Sequence, residues 1–190
     1  MKLYAIYLFR TVGEKATIVD SAKDFSDVGW MYRKNCVEIC DFASTQLAQS
    51  KNPQQRVSAE EKDFLFHAFR KDNVCAVLVG TKDYPSRAAF SILREVMSEY
   101  DQCGGNLPDG KCKTIQRGIV EYQNPEKADK MAQIHANLDQ TREIMVTNLE
   151  KAIGRGESLN ELAQKSETIS AQSKMFAREA SKLNSCCTII

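Results

Sequence analysis

The chain is expected to be an α+β protein: a five-stranded sheet covered by helices on both faces, followed by one long C-terminal helix. Three observations carry this. Leu3 to Phe9 and Val74 to Thr81 are apolar on both alternating faces, as strands covered on both sides are. Strands and helical apolar faces follow in the order ββα-βββ-αα over about 120 residues, so strands are grouped rather than alternating one by one with helices. From Met131 to Leu183, apolar residues recur at gaps of three and four without a proline, the pattern of a coiled-coil helix.

The first strand has Leu3, Ala5, Tyr7 and Phe9 on one face and Tyr4, Ile6 and Leu8 on the other. Val12 to Lys15 is a turn, and Ala16 to Val19 the returning strand of a hairpin. Trp30 to about Gln49 is a helix whose face is Tyr32, Cys36, Ile39, Cys40, Ala43 and Leu47. Phe42 does not belong to that face; it points away on the flank that also carries Met31. A single exposed Phe needs no explanation; it is also a candidate docking knob. Ser50 to Pro53 breaks the chain. Arg56 to Ser58 is a short strand, and Asp63 to Arg70 and Val74 to Thr81 are two stronger ones joined by Lys71-Asp72-Asn73. Pro85 opens a helix at a position proline tolerates, with Ala89, Ile92, Leu93, Val96, Met97 and Tyr100 facing inward. A loop over 102–113 precedes a short helix from Thr114 to Tyr122, and Asn124-Pro125 ends this part. The resulting division is a domain over 1–123, a linker over 124–130, a helix over 131–183 and a tail over 184–190.

The register of the long helix is Met131, Ile134, Leu138, Thr141, Met145, Asn148, Ala152, Arg155, Leu159, Leu162, Ser166, Ile169, Ser173, Phe176, Ala180 and Leu183, with eleven of the sixteen positions apolar. A helix of this length spans roughly 80 Å. Val146, Leu149 and Ile153 widen the stripe beyond a two-stranded seam, toward the face a helix presents in a larger bundle. Arg155 stands at the centre between Gly154 and Gly156. A buried guanidinium needs several acceptors, and nothing else at the centre of this helix supplies them. Partner helices would, and a central polar layer would then set their register. With two glycines costing about 1 kcal/mol each against alanine, the stretch is expected to stay frayed until it is covered. The plainer alternative is a structural coiled coil.

Cys187-Thr188-Ile189-Ile190 fits a C-a-a-X prenylation signal, so Cys187 is the candidate prenyl site, farnesyl or geranylgeranyl. Cys186 beside it is a candidate for palmitoyl or a second prenyl group. One chain holds a protein on a membrane marginally and two hold it stably. Lys174, Arg178 and Lys182 add positive charge upstream. The competing reading is two chance cysteines. No run of 18 apolar residues occurs, so covalent lipid is the expected membrane hold.

Other chemistries find little support. Lys and Arg number 26 against 25 Asp and Glu, which gives no electrostatic reason to expect nucleic acid. The seven cysteines lack the spacing of a secreted scaffold, and a reduced compartment is the simpler reading. Gly105 to Cys112 nearly matches a phosphate-binding loop. A helix precedes it where a strand is required, Asp109 would face the phosphates, and Cys112 replaces the metal-binding hydroxyl. His67 and His135 lack metal-ligand neighbours, and Cys36 and Cys40 read as core thiols. No metal site, cofactor or catalytic set is expected, and the protein is not expected to be an enzyme.

The seam around Gly154-Arg155-Gly156-Glu157-Ser158-Leu159 and Asn160-Glu161-Leu162 resembles the SNARE motif of the R-SNARE class, the synaptobrevin-like proteins. Met1-Lys2-Leu3-Tyr4 and Asp83-Tyr84-Pro85-Ser86-Arg87 resemble the opening strand and second-helix entry of a longin domain. Together with the tail, the whole chain is similar to the prenylated longin R-SNAREs. The resemblance implies a profilin-like antiparallel sheet with one helix on one side and two on the other. It implies that Arg155 is the zero layer of a four-helix bundle completed by three glutamine-type SNARE helices. It implies membrane fusion in ER–Golgi and Golgi, endosomal or vacuolar transport, by a protein cycling between cytoplasm and the cytoplasmic face of those membranes. It also implies autoinhibition, in which the SNARE segment folds back on its own longin domain at Phe42, with Met31 on the same flank. The rival reading is a lipidated coiled-coil scaffold that self-associates and does no work on membranes.

Overall fold

The computed structural model describes residues 1–50, 55–123 and 146–185, the stretch 179–185 by its backbone. β1 (Leu3–Val12) and β2 (Lys15–Lys23) form the first hairpin, and α1 (Trp30–Ala48) follows. β3 (Arg56–Glu61), β4 (Phe64–Lys71) and β5 (Val74–Thr81) form a meander. α2 (Ser86–Gln102), a 3-10 turn at Pro108–Gly110 and α3 (Lys113–Glu121) come next. The strand order is β2-β1-β5-β4-β3, antiparallel throughout, with a further short strand on the outer edge of β3.

The two-sided apolar strands lie at the centre of this sheet, which is why they carry no polar face. Ala5, Tyr7 and Phe9 of β1, with Cys75, Val77 and Val79 of β5, face Cys40, Ala43 and Leu47 of α1. Ile6 and Leu8, with Ala76 and Leu78, face Ile92, Leu93 and Val96 of α2 and Ile115 of α3. A register shift between Leu3 and Ala5 lets Leu3 join this second side out of alternation. α3 lies close because Gly118 has no side chain: a Cβ there would fall 2.2 Å from Ile92 Cδ1. Arg70 crosses from β4 to the end of α1, its guanidinium donating to the carbonyls of Leu47 and Ala48. That contact closes carbonyls the helix itself leaves open. His67, fully buried on β4, shares a 2.8 Å hydrogen bond with Ser58 on β3; burial pushes its pKa down to about 4, so it stays neutral.

The loop over 102–113 anchors α3. The amide of Cys112 donates to Asp20 at 2.8 Å, and those of Lys113 and Thr114 donate to Glu99 at 2.8 Å each. Within the stretch that resembles a phosphate loop, the Gly110 and Lys111 amides thus go to the Leu107 and Pro108 carbonyls and the Cys112 amide to a carboxylate.

Several sequence expectations are corrected in extent. The short strand at Arg56 runs on to Glu61, and the strand after the first turn spans Lys15–Lys23 rather than ending at Val19. Over the described part of 131–183 the chain is not one continuous helix. It forms β6 (Val146–Asn148), α4 (Leu149–Ile153), α5 (Leu159–Lys165) and α6 (Ala171–Ser185). Met131, Ile134, Leu138, Thr141, Met145, His135, the linker, Cys186 and Cys187 lie outside the described residues, as do the side chains of Ala180 and Leu183.

Candidate functional site

The site is the face between the sheet domain and residues 146–178. It begins at the sheet edge. β6 pairs in parallel with β3, Ser58 opposite Val146, Ala59 opposite Thr147 and Glu60 opposite Asn148. The outer edge of β3 offers unpaired backbone groups, and three residues of the segment take them. Asn148 then caps α4, its side chain accepting from the Glu150 amide at 2.8 Å. α4 puts Leu149, Ala152 and Ile153 into the same apolar cluster as Phe42, Ala43 and Leu47 of α1. Ser50, just past α1, donates to the Ala152 carbonyl at 2.6 Å.

Gly154 and Gly156 end the helix on either side of Arg155, with φ of 69° and 70°. This left-handed backbone costs little for glycine and is disfavoured for other residues. Between them Arg155 turns toward α1, and its Nη1 donates to Gln46 Oε1 at 3.1 Å. Its Nε is buried without a hydrogen-bond partner among the described residues. A guanidinium carries five donors; one meets Gln46, and Arg155 as a whole is half-buried.

Ser158 restarts the helix with a capping box. Its hydroxyl accepts from the Glu161 amide at 3.2 Å, and the Glu161 carboxylate accepts from the Ser158 amide at 2.8 Å. Leu159, Ala163 and Ile169 are buried, and Leu162 packs partly against them. α6 then runs back along α1. Ser170 Oγ donates to Glu38 at 2.6 Å, Ser173 Oγ to Asn35 at 3.2 Å, and the Phe176 and Tyr32 rings lie 5.7 Å apart. The Ser170 hydroxyl holds the Glu38 carboxyl below its ordinary pKa. Lys62 donates to the Ala177 carbonyl from the β3–β4 turn.

The segment therefore presents its seam to the domain. Of the expected layer residues, Ala152, Leu159, Ile169 and Ser173 are buried, Leu162 and Phe176 are partly buried, and Arg155 meets α1. Ser166 is partly exposed and bonded to Thr168, and Asn148 is the exposed cap. Leu149 and Ile153, the residues that widen the stripe, are fully buried, while Val146 is 49% exposed.

Phe42 is 8% exposed and packed in this cluster, so it is not a solvent-facing knob. Met31 is a correction. It is 62% exposed, and Tyr32, expected on the sheet side, makes the ring contact instead. Gln46, Glu38 and Asn35 carry no signal as isolated residues. Asn35, Glu38, Phe42 and Gln46 do recur at gaps of three and four, a second face of α1 that mixes polar anchors with one aromatic.

The described cysteines, Cys36, Cys40, Cys75, Cys103 and Cys112, are free thiols, and burial pushes Cys40 well up. Among the described residues no cluster of three or more His, Cys, Asp or Glu is placed to hold a metal. No described helix is long and apolar enough to cross a membrane.

A family model described as a regulated-SNARE-like (longin) domain matches residues 26–130, and one described as synaptobrevin matches residues 130–188. The chain is similar to the synaptobrevin homolog YKT6 of Saccharomyces cerevisiae, 34% identical over the whole of both chains. The homolog of Eremothecium gossypii is also 34% identical, and that of Schizosaccharomyces pombe 30% identical, again over the full length of both.

Proposed function

The chain belongs to the Ykt6 family of synaptobrevin homologs, R-SNAREs of vesicle traffic, and from that premise we propose that it fuses membranes by zipping residues 131–183 with three glutamine-type helices and is held inactive by its own longin domain. One observation carries the inhibitory half of this reading: the layer residues and Arg155 lie against α1, with Gln46 standing where a partner's glutamine would stand. A face cannot pack on α1 and on partner helices at once, so docking and zipping compete.

Arg155 supplies a reason for the exchange. On α1 it has one glutamine acceptor and a buried Nε with no partner among the described residues. Three glutamines in a sealed layer would satisfy more of its donors. Zipping would then convert three short helices and a strand into one continuous helix, beginning at the end far from the lipid and pulling toward it. Prenyl on Cys187 and a second lipid on Cys186 would pass that pull to the bilayer. The site of action would be the cytoplasmic face of Golgi, vesicle and endosomal or vacuolar membranes.

Mixing the full chain with three glutamine-type helices tests the reading directly. A stable hetero-tetramer is expected; self-association without them would favour the scaffold. Arg155→Ala should cost the tetramer about 2 kcal/mol or more, because three acceptors lose their donor. The closed monomer should lose less, since it gives up one hydrogen bond together with a poorly paired charge. Chemical denaturation of both forms measures the difference, and equal losses would place the work of Arg155 in the monomer.

For the anchor, Cys187→Ser should move the protein fully to the supernatant in a membrane sedimentation assay. Cys186→Ser should leave weak, reversible binding, as one chain does. A Cys187→Ser protein that still pellets would remove prenylation from the mechanism.

A further inference from the structure

The contact of α6 with α1 is antiparallel and keeps one register. Ser170 meets Glu38, Ser173 meets Asn35 and Phe176 meets Tyr32, each three residues forward on α6 matching three back on α1. Continuing that register brings Arg178 level with Trp30 at the first turn of α1. The helix runs on to Ser185, about 10 Å beyond that level.

At this end the surface is apolar. Trp30 is 81% exposed and Met31 62%, and half-exposed Tyr32 follows them. Met175, beside the Phe176 that touches Tyr32, is 63% exposed. The flanking charge is basic. Lys34 is largely exposed with Glu38 4.0 Å away one turn on, Arg178 is exposed, and exposed Arg33 is held in place by the carbonyls of Ser26 and Val28. Of the acidic groups before the helix, Asp24 is ion-paired with Lys2, and Asp27 accepts from the Tyr4 hydroxyl and keeps its charge at the edge of the patch. A tryptophan, a methionine and a tyrosine on a rigid helix start, rimmed by Arg and Lys, match the headgroup layer of an anionic bilayer. Amphipathic rings sit at that depth and the cations meet lipid phosphates.

We propose that the N-terminal turn of α1 is a membrane-contact patch, in which Trp30 and Met31 enter the headgroup layer of an anionic bilayer while Arg33, Lys34 and Arg178 face its phosphates. The patch stands on the longin domain and is exposed while residues 146–178 are docked. Its orientation toward the same bilayer as the tail rests on the lipidation reading above, because α6 leads the tail to this end. A protein partner is the competing occupant; the basic rim favours lipid.

Trp30 is the single tryptophan of the chain and reports on its own surroundings. The measurement uses the full chain with Cys186→Ser and Cys187→Ser, so failure of lipidation does not enter it. Vesicles of about one third phosphatidylserine should shift Trp30 emission to the blue, and brominated acyl chains should quench it. Pure phosphatidylcholine should do neither. Met31→Asp, or Arg33→Glu with Lys34→Glu, should weaken vesicle binding about tenfold. Met31 and Lys34 are exposed, so Met31→Asp should keep the fold; Arg33→Glu also gives up the bonds to the Ser26 and Val28 carbonyls, so circular dichroism must show that the charge variant stays folded. Val120→Asp, equally exposed but on α3 at the opposite face of the sheet, should change nothing. Unchanged Trp30 emission over the whole anionic titration would overturn the proposal. So would equal binding to neutral vesicles, or a blue shift that requires the partner helices and no lipid.

Discussion

Gly154→Ala combined with Gly156→Ala is expected to open the chain and speed its capture by partner helices. Both glycines sit at positive φ in the docked form, 69° and 70°. Alanine in that backbone costs about 1–2 kcal/mol per residue. In a continuous helix the same exchange gains close to 1 kcal/mol per residue, because glycine is the poorer helix former. The two terms act in the same direction, so the pair should move the balance by about 4 kcal/mol, or nearly a thousandfold. No packed side chain is removed, and a Cβ on Gly156 would meet nothing within 4 Å. The effect is therefore one of backbone, separable from lost contacts. Amide exchange over 146–178 should lose protection, and the association rate with the three partner helices should rise. The longin domain should melt as before. Unchanged protection together with an unchanged rate would mean that the bends around Arg155 do not hold the docked form.

Phe42→Glu should have a comparable effect by a different route. Phe42 is 8% exposed in a cluster shared by α1 and the segment residues Leu149, Ile153 and Leu159. Loss of a buried ring costs about 3–5 kcal/mol. A carboxylate in its place must stay in water, and it reaches water if the segment leaves. The sheet side of α1, with Cys40, Ala43 and Leu47, stays covered. Protease sensitivity should therefore rise between Tyr122 and Leu183 while the domain persists as a resistant core. The on-rate for partner helices should rise with it. Proteolysis and an on-rate that both match the unsubstituted chain would end the idea that Phe42 closes the protein. Arg155 reports the shared outcome of the two routes: its contact with Gln46 should be lost in both variants, though neither alters either residue.

What the sequence determined by itself was set by periodicity. β1 and β5 are apolar on alternate and intervening residues, so they had to be central strands. The spacing of three and four through Ala152, Leu159, Ile169 and Phe176 identified a face that must be covered, and that face is the one turned to α1. Phe42 stood out because it departed from the face of its own helix. What covers the seam was a tertiary matter. Val146, Thr147 and Asn148 form a strand because the outer edge of β3 has backbone groups to pair, and no window of residues around them reports that edge. Arg155 was legible as a charge needing acceptors, but Gln46 lies 109 residues away and became its partner only when α4 ended at Gly154. Met31 and Tyr32 differ by one position, and the antiparallel register of α6 decided which of them met Phe176. Local pattern prescribes which surface must be buried; the choice among surfaces able to bury it depends on edges and registers that exist only once the chain has folded.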